Sequence, residues 1–137
     1  DEEKELHAVF LEKDELIKQS DVISLHLPLT KNTHHLLGAK EFATMKKTSF
    51  LINAARGPLI DENALLQSLK EKQLAGAALD VYEHEPKVDD QFKQMKNVIL
   101  TPHIGNATIE ARNAMAEVVA KNVGSVLNEE TPKYNVN

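Results

Sequence analysis

A chain of 137 residues, 42% apolar and 27% charged, has the make-up of one folded domain able to bury roughly two-thirds of its unfolded surface, which excludes a disordered polypeptide. A net charge of −5, with no basic block interleaved with aromatics, argues against nucleic acid as the main partner. The lack of cysteine removes thiol catalysis, disulfides and Cys-ligated metals; no apolar run reaches the length of a membrane span and no secretory signal opens the chain, so a cytoplasmic setting is the default expectation.

In chain order, "HAVFL" (7–11) reads as a short strand and "KDELIKQS" after it as one or two helical turns. "DVISLHL" (21–27) is a buried strand closed by Pro28, and "GAKEFATMKKT" a helix with Phe42 and Met45 on one face. "SFLIN" (49–53) is the next strand. Asp61 is placed to cap a helix over "ENALLQSLKEKQL". "AGAALDVY" (75–82) and "NVILT" (97–101) complete the strands. A long helix starts at Thr108, its cap, with Ala111, Met115, Val118, Val119, Asn122 and Val126 on one face. Strands and helices alternate, and the strands are continuous apolar runs, which predicts an α/β fold with a parallel sheet covered on both faces. No internal repeat or low-complexity segment interrupts this pattern.

Ligands of such sheets bind beyond the carboxyl ends of the strands. The residues there are His26-Leu27-Pro28, Ala54-Ala55-Arg56, Asp80 through Glu85, and Thr101-Pro102-His103. Arginine offers a planar fork of donors that matches a carboxylate, and histidine exchanges a proton near neutral pH. Arg56, Glu85 and His103 on one rim could hold a small acid and move a proton at its carbonyl. His26, His34 and His35 have a spacing that fits no familiar metal-ligand pattern, so no metal site is expected. His26 reads as a packed or backbone-bonded strand residue, and His34, His35 and His84 as solvated surface.

Four blocks, "DVISLHLPLTKNTHHLL", "MKKTSFLINAARGPLIDENAL", "GAALDVYEHEP" and "NVILTPHIGNAT", resemble in order and spacing the signatures of the D-isomer-specific 2-hydroxyacid dehydrogenases. The resemblance implies a partial Rossmann-like parallel sheet with flanking helices, the C-terminal part of an NAD-binding domain, over residues 1–107. Residues 108–137 would be a helix and tail leading back toward a substrate domain. It also implies reduction of 2-keto acids to D-2-hydroxy acids with NAD(P)H, with substrates of the glyoxylate and hydroxypyruvate type favoured and NAD preferred over NADP. Arg56 would bind the substrate carboxylate and polarise its ketone. His103 would donate the proton, and Glu85, rather than its neighbour Glu83, would pair with His103. Asp80 would hold the nicotinamide carboxamide, and Leu27, Pro28, Ala54, Ala55, Arg56, His103 and Gly105 would approach the cofactor.

A dinucleotide fold also carries G-x-G-x-x-G after its first strand. This chain has five glycines, no two nearer than nineteen residues, so no such loop lies within it. Set against the family, the chain reads as a C-terminal fragment that starts just before the third strand, inactive by itself, from an intact protein expected to be a homodimer. "HAVFL" would then lack its neighbour, "DVISLHL" would form an exposed edge, and the chain would self-associate or hold its first dozen residues loosely. The runner-up function is an NAD(H)-responsive corepressor-type binding protein of the same fold.

Overall fold

The structure is a computed structural model that describes residues 5–135. It divides into two units, residues 1–103 and 104–137.

The first unit is built on four parallel strands, β1 (Val22–Leu25), β2 (Phe50–Asn53), β3 (Gly76–Leu79) and β4 (Val98–Leu100), in the spatial order β1-β2-β3-β4. Register places Ile23 beside Leu51 and Leu51 beside Ala77, with Leu79 beside Leu100. Between or before the strands lie α1 (Lys13–Gln19), α2 (Ala39–Phe42), α3 (Glu62–Lys70) and α4 (Asp90–Lys93). Asp61 caps α3 as expected, its carboxylate accepting from the Ala64 N–H. Ile17, Phe42, Leu65, Leu69 and Phe92 from these helices join Ile23, Leu25, Leu51 and Leu79 from the strands in a single core.

The expectation of a sheet covered on both faces is not met. Burial alternates along β1 and β2, and on the opposite face Val22, Phe50 and Ile99 are 54%, 50% and 68% exposed. The reason is topological. Parallel crossovers are right-handed, so strands added one after another in a single direction place all their connecting helices on the same face. Covering the second face requires a reversal in strand order. These four strands contain none.

"HAVFL" is also not a strand; Val9 and Phe10 are exposed, and among the described residues β1 stands at the sheet edge, paired with β2 alone. With no main-chain partner beside it, β propensity cannot form a ladder. The helix expected over "GAKEFATMKKT" shortens to one turn, though Phe42 and Met45 still enter the core.

The second unit carries α5 (Ile109–Leu127), capped by Thr108, whose hydroxyl accepts from the Ala111 N–H. No residue of α5 is buried, and Met115, Val118, Val119 and Val126 are exposed. The predicted stripe forms, but among the described residues the unit has no second helix or strand for it to pack on. Among the described residues no helix is long and apolar enough to cross a membrane.

Candidate active site

Parallel strands bring their carboxyl ends to one rim, and each end carries polar residues. At the end of β2, Asn53 is buried and turns the chain back on itself. Its Nδ2 donates to the Arg56 carbonyl at 2.9 Å, and its Oδ1 accepts from the Ala55 N–H at 3.1 Å. This turn presents Arg56, whose exposed side chain folds back so that Nη1 donates to the Ala55 carbonyl at 2.6 Å. A single 3-10 turn, Gly57–Leu59, follows. Gly57 is buried against the backbone of Tyr82, which fastens the arginine loop to the loop after β3.

That second loop starts at Asp80, whose N–H donates to the Asn53 carbonyl at 2.9 Å. The Asp80 carboxylate is buried and accepts from the Thr101 hydroxyl at 2.5 Å, joining the ends of β3 and β4. The Tyr82 hydroxyl lies 2.7 Å from the Thr101 carbonyl and 3.1 Å from that of Leu79. Burial, and then the charge of Asp80, push the Tyr82 phenol up.

Glu85 sits between the two loops and β4. Its Oε1 accepts from the Tyr82 N–H at 3.0 Å, and its Oε2 lies 2.9 Å from Nδ1 of His103. The hydrogen bond from His103 outweighs partial burial and, with the Tyr82 amide and the charges of His103 and Arg56, holds the Glu85 carboxyl below the usual carboxylate range. An ionised carboxylate accepts only, so His103 donates from Nδ1 and its Nε2 is left for another partner. His103 takes the left-handed backbone conformation, with φ of 53°. Beside the pair lies a cavity of about 360 Å³, walled by Tyr82, Pro86, Val88, Leu100 and Pro102 and rimmed by Lys93.

Of the two candidate glutamates, it is therefore Glu85 that meets His103. Glu83 faces the other way, its Oε1 2.8 Å from Nε2 of His35. The reading of His35 as solvated surface is corrected by this contact, because its backbone N–H also donates to the Pro58 carbonyl at 2.8 Å. His26 is neither packed within a strand nor bonded to backbone through its ring; it follows β1, is exposed, and its Nε2 shares a 2.8 Å hydrogen bond with the Ser24 hydroxyl. Leu27 packs on the core edge, and Pro28 is exposed with its carbonyl taken by the Thr33 hydroxyl. Ala54 is exposed and Ala55 half-buried. Gly105 belongs to the second unit.

Tyr82 and Thr101 hold the rim from within the strand-end groups expected to line it, though no role was read for them; Asn53 and Glu62, which also hold it, were not singled out in the sequence. A signal existed for Asn53 alone: a polar amide closing an apolar run. Glu62, at the start of α3, accepts the Glu83 N–H at 2.6 Å, and burial holds its carboxyl above the usual range.

The rim fits one end of a dinucleotide. The side chains of Ala54 and Ala55 are small, and the buried carboxylate of Asp80 lies at the same rim. A phosphate-cradling loop is not among these residues.

Comparison with known proteins agrees with this geometry. The sequence description of the D-isomer specific 2-hydroxyacid dehydrogenase NAD binding domain matches residues 1–105. The chain is 50% identical over 135 residues to the glyoxylate reductase of Thermococcus litoralis, covering 98% of this chain and 41% of that protein. It spans 41–43% of the length of the first curated relatives it matches. Among solved structures, the D-lactate dehydrogenase of Lactobacillus jensenii with NAD+ superimposes with a TM-score of 0.90 at 35% identity, over 100% of this chain and 46% of that one. A glyoxylate reductase from Paecilomyes thermophila gives a TM-score of 0.85 at 42% identity, over 91% of this chain and 38% of that one. The chain thus belongs to the D-isomer specific 2-hydroxyacid dehydrogenase family, and residues 1–105 carry sequence of its NAD binding domain.

Proposed function

We propose that this chain supplies the catalytic rim of an enzyme that reduces small 2-keto acids, of the glyoxylate and hydroxypyruvate type, to D-2-hydroxy acids. The observation that carries the reading is the 2.9 Å contact between Glu85 and His103, with the charge of Arg56 close enough to help keep Glu85 ionised. A bound nicotinamide dinucleotide, NAD in preference to NADP, would supply the hydride. Arg56 binds the substrate carboxylate with its fork of donors and polarises the ketone. His103 gives a proton from Nε2 to the carbonyl oxygen, while Glu85 on Nδ1 fixes the ring and stabilises its charged form. Asp80, Ala54, Ala55, Leu27 and Pro28 line the nicotinamide side. Family membership and the likeness to two glyoxylate reductases support the substrate class. The intact enzyme works as a homodimer. A corepressor-type role has no observation in its favour, since Arg56, Glu85 and His103 are all present.

With no glycine-rich loop of its own, the 137-residue chain is expected to bind NADH weakly and to turn over little. Joined behind the N-terminal part of the Thermococcus litoralis glyoxylate reductase, it is expected to oxidise NADH with glyoxylate and hydroxypyruvate. His103→Ala in that chimera should lower kcat roughly 100-fold or more. A folded chimera without turnover on these acids, on pyruvate or on 2-oxoisocaproate would reject the reading.

A further inference from the structure

Away from the Glu85–His103 pair, the fold assembles three other side chains that the proposed reaction does not use. His34 and His35 precede the core residue Leu37, and Glu83 comes 48 residues after His35 in the loop following β3. Each of the three offers one donor atom, and these atoms all lie within 4.8 Å of one another. The two imidazoles stack with centroids 4.0 Å apart, and Nε2 of His35 is 2.8 Å from Oε1 of Glu83.

We infer that His34, His35 and Glu83 form a binding site for a divalent transition metal ion of the zinc class.

Two imidazoles and one carboxylate suit Zn²⁺ and its neighbours Co²⁺, Ni²⁺ and Cu²⁺; they do not suit Mg²⁺ or Ca²⁺, which prefer oxygen alone. Donors bound to one tetrahedral zinc stand about 3.4 Å apart, given metal–ligand bonds near 2.1 Å. The His35–Glu83 pair, at 2.8 Å, is closer than that value, and no pair of the three donors exceeds 4.8 Å. His34 is exposed, so its ring can leave the stack on His35 and swing toward a bound ion.

The other two donors are held from behind. The His35 N–H donates to the Pro58 carbonyl at 2.8 Å, and His35 takes the left-handed conformation, with φ of 49°. Glu83 is 15% exposed and doubly tied to Glu62: its N–H donates to the Glu62 carboxylate at 2.6 Å, and its Oε2 accepts from the Glu62 N–H at 3.4 Å. One carboxylate oxygen is thus fixed to the start of α3, and the other faces the imidazoles. Such supports behind the ligands orient a metal site.

His35 reaches the Pro58 loop, and Glu83 lies between Tyr82 and Glu85. A bound ion would therefore tie together the three loops that flank Arg56 and Glu85, with its remaining positions taken by water. Sequence spacing gives no hint of this, because Glu83 stands where the spacing left only His26 as the third candidate.

The site can be tested on the 137-residue chain without reference to dehydrogenase activity. Zn²⁺ titrated calorimetrically into the metal-free chain is expected to saturate at one equivalent. His34→Ala and Glu83→Gln should each weaken binding at least about tenfold, whereas His103→Ala should leave it unchanged. Circular dichroism of each variant reports whether it folds, and the exposed His34 is the substitution least coupled to folding. Co²⁺ should give visible absorption bands of a low-coordinate site, lost in the same variants. Absence of saturable binding, or binding that survives His34→Ala and Glu83→Gln in folded protein, would overturn the assignment and leave His35–Glu83 as a plain hydrogen-bonded clasp.

Discussion

Gly57 lies flat against Tyr82, so close that a Cβ at position 57 would overlap the Tyr82 carbonyl. This contact explains why "ARGP" continues as it does. Arg56 can be held beside the Glu85 loop only if the next residue has no side chain. Gly57→Ala is expected to destabilise the chain by about 3 kcal/mol, the upper end of the cost of overpacking, because backbone rather than a flexible side chain must yield. Urea unfolding measures this. A change below about 0.5 kcal/mol, as at an ordinary surface site, would mean that the two loops move independently.

Asn53 makes the same loop from within. Its amide satisfies the Arg56 carbonyl and the Ala55 N–H, and it is 1% exposed. Asn53→Leu removes both bonds and leaves two backbone groups unsatisfied, at a cost of roughly 2–4 kcal/mol. Amide exchange at Ala55 should accelerate in step with this loss. Unchanged exchange would show that the turn does not depend on the side chain.

The carboxylates Glu85 and Glu62 are shifted in opposite directions, which sets two opposite pH trends. Glu85 titrates lower in the fold than in the unfolded chain, chiefly through His103. Its contribution to stability is present above the ordinary carboxylate value and is lost as pH falls through the lowered one. Glu62 titrates higher, chiefly through burial. Its contribution is present below the ordinary value and is lost as pH rises through the raised one. Carbon-detected NMR titration should find the two on either side of the normal glutamate value, and His103→Ala should move Glu85 upward. Relative to the unaltered chain, Glu62→Gln should gain stability as pH rises. Identical titration of the two glutamates would refute this account.

Val22, Phe50 and Ile99 leave apolar surface on one face of the sheet, and β1 is an unpaired edge. Such surfaces recruit further chains. The chain is expected to associate reversibly with rising concentration in sedimentation velocity, and Ile99→Lys should weaken that association. Residues 6–11, where Leu6, Val9 and Phe10 are more than three-quarters exposed, should exchange their amides quickly. A compact monomer with those amides protected would contradict both expectations.

The sequence by itself determined the local elements of the interior. The apolar runs at 22–25, 50–53, 76–79 and 98–100 became parallel strands, and Asp61 and Thr108 capped the helices they precede. These features depend on neighbours in the chain, where periodicity and capping chemistry act. The blocks around Arg56, Glu85 and His103 were equally legible, because they are contiguous and carry unusual residue combinations.

Tertiary structure alone decided the rest. "HAVFL" has strand composition but no partner, and a strand exists only as a pair. Which face of the sheet is covered depended on the order in which strands join, a property no single run contains. The meeting of His35 with Glu83 spans 48 residues. Side chains separated that far share no local pattern. Their contact is set by the crossover connections that bring the strand ends to one rim.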